Sequence, residues 1–485
     1  KLATLKKGEN DVAKYITNYL DERMVYCNKN WWIFDTKVNV WRYGTPTAII
    51  ISEIQRQIDM ARKCLFGAII NAEDDEKKKE LRKKEKEYEE QYKVVGKSSF
   101  SKQVENCLKE YLLDTHFERK LDINKYEVAY KNGMLNLKTM TLSPLRATHY
   151  ITSTIPYDYQ EGTPEGKAWV RSNLLKICNM NEEHLAYYLS YFGASMTGDS
   201  SLVQDFLNIL GQKASNGKSV ILEALMKIIP NYISKTENNI FEIKYGSRHK
   251  EIATWRGLRI LWVNELSKGK QDGEFMKDIS DGTGIKFKVM YGITDIMPIN
   301  FNFIIVSNNT LKIDCCNGIA RRLKTAQMDS DFKDDVEEDD YTNCVFKKDR
   351  MFGEKLQTIY KHDLMALIYE YSQAFVTDGY KMKPYPKDWK EETDNIVADN
   401  DQFSDFFHMW FIEEQGAKMA KKNVDELLKE LNKGHVNFKD ELKRIKVNFK
   451  YNSQERMPGS SVKGVYEGFR KRTDMEMEND GVDEL

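Results

Sequence analysis

The sequence predicts an α/β fold whose central part alternates short apolar strands with helices. Residues 206–210 form an apolar run of strand length, residues 220–229 follow a helical period, and Pro230 ends that helix. Two further apolar runs, at residues 258–263 and 301–306, predict additional strands. Strands that alternate with helices favour the α/β class over all-helical or all-strand folds.

The loop between the first strand and its helix has the composition of a phosphate-binding P-loop. In such a loop backbone N–H groups wrap a polyphosphate, a lysine reaches the outer phosphates, and a hydroxyl ligates Mg²⁺. The general pattern has four residues between its glycines, whereas five separate Gly211 from Gly217 here. The alternative is a lysine on a surface turn. The candidate nucleotide-binding residues are Gly211, Ser215, Asn216, Gly217, Lys218 and Ser219.

Polar side chains follow the two later strands. Glu265 is the carboxylate at the end of the 258–263 run, and we assign to it the polarisation of an attacking water and, with Ser219, the binding of Mg²⁺. Asn308 follows the 301–306 run, where an amide could sense a γ-phosphate. An ordinary exposed glutamate and a turn asparagine are the alternatives.

Composition excludes some classes of protein and leaves others open. Of 485 residues, 41% are hydrophobic, so a folded core is expected. The formal net charge is -1, and this total neither indicates nor excludes nucleic-acid binding. The cysteines lack a CxxC pair, which indicates neither a zinc site nor a disulfide framework. No apolar run approaches the length of a membrane span. The chain begins at Lys1, so we expect an upstream portion.

The flanking regions are predicted to be mainly helical. Two hairpins are expected before the core, around residues 31–43 and around Asn132-Gly133, and residues 73–93 read as a solvated charged helix. The basic and aromatic residues of the tail predict a helix, a turn at Pro458-Gly459 and a second helix. We divide the chain into an N-terminal α+β domain (1–150), a helical collar (151–200), the core (201–335), a helical lid (336–432) and a C-terminal module with tail (433–485).

The order of Lys218, Glu265, Asn308 and then Arg322 resembles the core of superfamily 3 helicases, and more closely the poxvirus-type primase-helicase family of large DNA viruses. Supporting motifs are Asn132-Gly133-Met134-Leu135-Asn136-Leu137, Tyr191-Phe192-Gly193, Gly257-Leu258-Arg259 and Lys277-Asp278-Ile279-Ser280-Asp281-Gly282. Asn264 departs from the second acid that many relatives of the wider superfamily carry.

The resemblance implies an AAA+-like P-loop ATPase core in a hexameric ring, with ATP and Mg²⁺ at each subunit interface and single-stranded DNA as partner. Arg322 would act in trans on a neighbour's nucleotide, and is preferred over Arg321 because an apolar residue follows it. Lys286, Lys288 and Tyr291 would contact DNA, since lysines capture phosphates and a tyrosine can stack a base. The tail would form a winged-helix-like module, and a primase would lie upstream.

The leading interpretation is therefore an intracellular, ring-forming DNA helicase acting at sites of viral or mobile-element replication. A DNA-binding ATPase initiator or switch that does not unwind is the first alternative. A P-loop small-molecule kinase is a second, although it would need neither Arg322 from a neighbour nor Lys286 and Lys288. A nucleic-acid scaffold that binds no nucleotide is the third.

Overall fold

The computed structural model describes residues 9–20, 23–95, 98–213, 215–242, 245–267, 271–288, 294–311, 313, 317–400, 402–430, 437–458, 463–473 and 476. Within these residues the chain is a mixed α/β structure built around a parallel sheet of five strands. No helix among them is both long enough and apolar enough to cross a membrane.

The N-terminal part contains two small antiparallel sheets and several helices. Its elements are α1 (Glu9–Leu20), β1 (Met24–Cys27), β2 (Asn30–Asp35), β3 (Val40–Tyr43), α2 (Pro46–Ile70), α3 (Asp75–Val95), α4 (Ser98–Tyr111), α5 (Phe117–Lys120), β4 (Glu127–Tyr130), β5 (Gly133–Asn136) and β6 (Thr141–Ser143). Both predicted hairpins are confirmed, as β2 with β3 and as β4 with β5 around Asn132-Gly133.

The central part carries the main sheet and the helices that cover it. Its elements are α6 (Pro164–Ile177), α7 (Glu182–Met196), β7 (Phe206–Leu210), α8 (Val220–Ile228), β8 (Ile233–Lys235), α9 (Tyr245–Ile252), β9 (Ile260–Asn264), α10 (Gly273–Ser280), β10 (Ile285–Lys288), β11 (Thr294–Met297), β12 (Asn302–Ser307), α11 (Asn317–Arg322) and β13 (Leu323–Gln327). The three strands predicted in this region are confirmed as β7, β9 and β12.

Strand order in the main sheet is β13-β7-β12-β9-β8, and every pairing is parallel. Both faces of the sheet are covered. On β7, for example, Leu207 and Ile209 pack into one core and Phe206 and Leu210 into the other. This two-sided burial explains why the strands read as continuous apolar runs.

The helices predicted as a separate collar belong to the main core instead. Tyr188, Tyr191 and Phe192 of α7 are buried in the same cluster as Leu207 of β7. Because α7 is apolar almost all round, it needs partners on every side, and helix α13 (Lys361–Thr377) supplies one of them. The predicted boundary at residue 200 thus runs through a single packed unit.

The C-terminal part departs most from the sequence-based expectation. Its elements are β14 (Asp331–Lys333), β15 (Val345–Lys347), α12 (Phe352–Thr358), α13 (Lys361–Thr377), α14 (Lys387–Asp399), α15 (Gln402–Trp410), β16 (Phe411–Ala420), α16 (Lys421–Glu430), α17 (Phe438–Arg444), β17 (Lys450–Asn452) and β18 (Val465–Lys471).

The prediction of a second helix after Pro458 is wrong, because the chain there forms β18 at the centre of a sheet ordered β16-β18-β17. The core of this unit includes Phe403, Phe438 and Phe469. The unit therefore begins near residue 402, and the expected start of the module at 433 lies inside it.

Candidate functional site

The 211–219 loop connects the buried strand β7 to helix α8 and is shaped by its glycines. A Cβ on Gly211 would lie 1.8 Å from Asn216 Nδ2 and 2.8 Å from the Met328 carbonyl oxygen, so a side chain has no room there. Asn216 is buried and its Nδ2 donates to Met328 O at 3.0 Å. The extra residue of this loop is therefore accommodated by an asparagine folded against Gly211.

Two backbone donors at the helix end of the loop have no acceptor among the described residues. Gly217 has a φ of 80°, a conformation that favours glycine. Within the described part of the chain, the N–H groups of Gly217 and Ser219 have no acceptor. Ser219 is the N-cap of α8, yet its side chain makes no capping hydrogen bond. Free N–H groups beside a helix N-terminus suit an anionic ligand, and Ser219 retains a free hydroxyl oxygen.

Lys218 is held towards the sheet rather than towards solvent. It is 8% exposed, and its Nζ donates to Gly211 O at 3.0 Å and to the side-chain oxygen of Asn308. Burial lowers the pKa of Lys218, and the nearby Glu265 carboxylate partly offsets that effect. The lysine is thus a partly desolvated cation close to an acid.

Glu265 follows β9 with a φ of 56°, which is uncommon for a residue with a side chain. Its Oε1 accepts a hydrogen bond from the Asn308 N–H at 2.6 Å, and its own N–H donates to Val306 O at 2.8 Å. A strained backbone conformation of this kind persists only where surrounding contacts hold it in place, and such residues often lie at functional sites. The carboxylate is fixed beside Asn308.

The strand order explains why these three side chains meet. β12 lies between β7 and β9, so Asn308 at the end of β12 lies between the loop that carries Lys218 and the strand end that carries Glu265. Three separate chain segments converge at the carboxyl edge of the sheet. In open α/β sheets this edge is where ligands bind.

Sequence reasoning missed the polar pair beneath the loop. Ser307 Oγ donates to Asn208 Oδ1 at 2.9 Å, and both residues are fully inside the sheet. The signal was visible as one asparagine in the otherwise apolar run 206–210. The pair joins β7 to β12 directly below the candidate site.

Arg322 is not at an exposed edge, which corrects the sequence-based placement. The residue is 4% exposed, and its guanidinium pairs with Asp281 of the same chain while Nη1 donates to Gly318 O at 3.0 Å. Arg321 is the exposed arginine of the two. A trans role for Arg322 stays a prediction, and it requires the pair with Asp281 to open.

The predicted DNA-contacting segment is described in part. β10 and β11 form an antiparallel hairpin, and Lys286 is exposed on β10. The side chain of Lys288 and the whole of Tyr291 lie outside the described residues. Ser215, in the 211–219 loop, is exposed with a φ of 61°.

No three His, Cys, Asp or Glu side chains of the described residues cluster to hold a metal. Mg²⁺ commonly keeps several waters and binds through one or two protein oxygens together with substrate phosphates. Ser219 Oγ and the Glu265 carboxylate are the oxygens that fit such a site, so the residues suit a metal brought in with a nucleotide.

Comparison with known proteins gives a partial family match. Residues 13–175 match the family model described as D5 N terminal like. A protein of Acanthamoeba polyphaga mimivirus, named as a candidate helicase (L207/L206), is 22% identical over 380 residues, which are 75% of this chain and 38% of the relative. The chain thus spans well under half the length of that relative.

Among solved structures, the A-form apo structure of the NrS-1 C-terminal region is 11% identical with a TM-score of 0.42, over 90% of this chain and 86% of that one. A second NrS-1 structure, of residues 305–718, is 14% identical with a TM-score of 0.34, over 61% and 65% of the two chains.

Proposed function

We propose that this chain, which carries the D5 N-terminal-like domain found in the primase-helicase family of large DNA viruses, is the motor part of an ATP-dependent DNA helicase. The family model and the mimivirus relative support a helicase-like viral replication protein. The proposal goes further and assigns a superfamily 3, AAA+-like P-loop ATPase that moves on single-stranded DNA as a homo-hexameric ring.

The observation that carries the proposal is the convergence of Lys218, Asn308 and Glu265 from three separate strand ends. Phosphoryl transfer needs positioning and charge compensation more than covalent chemistry from the protein. Lys218 supplies a desolvated positive charge and Glu265 a fixed carboxylate that can orient water and accept its proton. Asn308 contacts both and can report the presence of a γ-phosphate.

ATP and Mg²⁺ are the proposed ligands. The free N–H groups of Gly217 and Ser219 would hold phosphate oxygens, and Ser219 with Glu265 would hold the metal. The bound metal would neutralise charge that builds up on the phosphates.

The position of Arg322 supports a shared site between subunits. β13 begins at Leu323, which lies beside Phe206 at the start of β7, whereas the 211–219 loop follows the end of β7. A strand of that length separates the two edges by about 16 Å. Arg322 thus lies at the opposite end of the parallel strands from the 211–219 loop of its own chain, and we propose that it serves the nucleotide of a neighbouring subunit.

DNA contacts are proposed on the β10–β11 hairpin, through Lys286, Lys288 and Tyr291. The C-terminal unit is proposed as a winged-helix-like module because its elements run α15-β16-α16-α17-β17-β18 around an antiparallel sheet ordered β16-β18-β17. A primase is proposed as a partner, in a protein that acts at intracellular sites of viral replication.

The test combines ATP hydrolysis with strand displacement on a forked DNA and a mass measurement of the assembly. We expect hydrolysis that single-stranded DNA stimulates, displacement that needs ATP and Mg²⁺, and both activities lost in Lys218→Ala. Hydrolysis without displacement would favour an initiator or switch that does not unwind. No nucleotide binding at all would contradict the proposal.

A further inference from the structure

The pair formed by Arg322 and Asp281 joins two elements that the proposed motor would have to move. Asp281 follows α10 directly, and Arg322 is the last residue of α11. Three residues separate Asp281 from β10, the first strand of the hairpin that carries Lys286. The pair thus connects the arginine to the base of the proposed DNA-contacting hairpin.

The guanidinium is buried but only partly satisfied. Nη1 donates to Gly318 O at 3.0 Å and Nη2 pairs with Asp281, while Nε has no partner within the described residues. An unpaired buried N–H costs stability. An arginine in this state would gain hydrogen bonds by moving to a polyphosphate, which offers several acceptor oxygens.

Asp281 occupies a position where its own charge is unfavourable. It caps the C-terminus of α10, and the partial negative charge of a helix C-terminus repels a carboxylate. Arg322 compensates that repulsion. The carboxylate is 27% exposed, so the pair is screened in part but not solvated on all sides.

The link from Asp281 to the hairpin is short and closely packed. Gly282 has a φ of 69° and Gly284 a φ of 108°, and a Cβ on Gly282 would lie 2.7 Å from the Ser201 backbone nitrogen. A short, closely packed link of this kind has little conformational freedom. A displacement of β10 would therefore reach Asp281 within a few residues.

We propose that Asp281 is a positioning residue that holds Arg322 inside its own chain until DNA bound to the β10–β11 hairpin separates the pair. Released Arg322 then exchanges one anionic partner, the Asp281 carboxylate, for another, the triphosphate of the neighbouring subunit. This inference rests on the proposed function, and it couples DNA binding to hydrolysis through one ion pair.

The competing explanation is a structural tie between α10 and α11. If the ion pair only stabilises the packing of α10 on α11, its loss would lower stability and activity together. If the pair holds Arg322 away from the nucleotide, its loss would raise ATP hydrolysis in the absence of DNA. Asp281→Asn separates the two cases, because asparagine has the same shape and removes an unfavourable charge from the helix C-terminus.

The experiment measures kcat and KM for ATP with and without a thymidine homo-oligonucleotide. In Asp281→Asn we expect the DNA-free kcat to rise about tenfold, the size of one lost charge-assisted hydrogen bond, with KM unchanged and a correspondingly smaller stimulation by DNA. The matched control is Asp278→Asn, an exposed acid on the same helix, which should behave as wild type. Asp281→Glu should restore part of the stimulation.

Adding Arg322→Ala to Asp281→Asn should abolish the gain. If the wild type hydrolyses ATP and Arg322→Ala does not, but Asp281→Asn equals Asp278→Asn or is slower, the inference is overturned while the proposed function stands. If the wild type does not hydrolyse ATP, or Arg322→Ala hydrolyses it at the wild-type rate, the proposed function itself fails. Should Asp281→Asn not fold, Asp281→Ala, which suits the right-handed conformation of this residue, is read by the same criteria.

Discussion

The side-chain oxygen of Asn308 accepts a hydrogen bond from the Lys218 ammonium, although ninety residues separate the two in sequence. The Asn308 N–H meanwhile donates to Glu265 at 2.6 Å. Asn308, at the end of β12, thus joins Lys218, in the loop after β7, to Glu265, which follows β9. These two contacts are the basis on which Asn308 is proposed as the sensor of the site.

Asn308→Ala is expected to lower kcat for ATP hydrolysis by about 100-fold, the usual effect of losing one positioned polar group. KM should change little, since Lys218 and the loop remain. Steady-state kinetics gives both constants. Asn309→Ala is the matched control, because Asn309 is exposed in the same turn. Equal effects of the two substitutions would remove Asn308 from the site.

The affinity for ATP should depend on pH through Lys218. Burial lowers the pKa of this lysine from its ordinary value of 10.5, and only the charged form attracts phosphate. The affinity for ATP is therefore highest below the lowered pKa and falls as pH rises through it. This fall occurs at a lower pH than it would with an exposed lysine. Between the lowered pKa and 10.5 the unfolded chain binds more protons, so the stability contribution of Lys218 rises with pH there.

A fluorescent ATP analogue titrated from neutral pH up to 10.5, the ordinary pKa of lysine, measures this dependence. Lys218→Arg stays charged throughout, so whatever affinity it retains should be flat over the range. A wild-type affinity that is equally flat would show that the lysine does not bind the phosphates.

Gly211→Ala should disable the loop without unfolding the protein. The new Cβ would lie 1.8 Å from Asn216 Nδ2, and Asn216 must move away from Met328 to make room. We expect nucleotide affinity to fall at least tenfold, measured by the same titration, because the loop can no longer keep its shape. The double variant Gly211→Ala/Asn216→Gly should recover part of it.

Gly67→Ala is the control for Gly211→Ala. Gly67 lies within α2 and a Cβ there meets nothing within 4 Å. Alanine in a helix interior is more favourable than glycine by about 0.5–1 kcal/mol, so this variant should bind nucleotide normally and be slightly more stable. Normal binding by Gly211→Ala as well would show that the loop tolerates a side chain.

The sequence alone was sufficient to predict the local parts of the site. Apolar runs of strand length located β7, β9 and β12, and the polar residue at each strand end located Glu265 and Asn308. Such signals are carried by neighbouring residues, and burial on both faces of the sheet makes them strong.

Long-range pairing was not predictable in the same way. The position of β12 between β7 and β9 depends on contacts between segments about a hundred residues apart, and the burial of Arg322 depends on Asp281. β16 was missed because five of its ten residues are polar or glycine and much of the strand is solvent-exposed. β16 is a strand because it pairs with β18, and this pairing leaves no local pattern in the sequence of β16.

Arg259 connects the N-terminal domain to β9, the strand that Glu265 follows. The residue is 2% exposed, and its Nη2 donates to Asn124 O and, at 3.2 Å, to Glu127 O. Arg259→Ala should lower the free energy of unfolding by about 3 kcal/mol or more, because it leaves a cavity and frees buried carbonyl groups. Thermal or denaturant unfolding measures the loss.

Arg350→Ala is the control for Arg259→Ala. The Arg350 side chain is 76% exposed and pairs with Asp334 at the surface, so its removal should leave stability unchanged within error. If Arg259→Ala is equally harmless, the N-terminal domain and the sheet are not joined through this residue.

The most direct measurement separates nucleotide binding from hydrolysis in Glu265→Gln. The account predicts that this variant binds ATP with Mg²⁺ at close to wild-type affinity, since Lys218 and the loop are intact and the glutamine amide oxygen can still ligate the metal. It also predicts that DNA-stimulated hydrolysis falls by at least about 100-fold, since the carboxylate that orients water is gone. Hydrolysis by Glu265→Gln at the wild-type rate, or no binding of ATP by the wild-type chain, would contradict it.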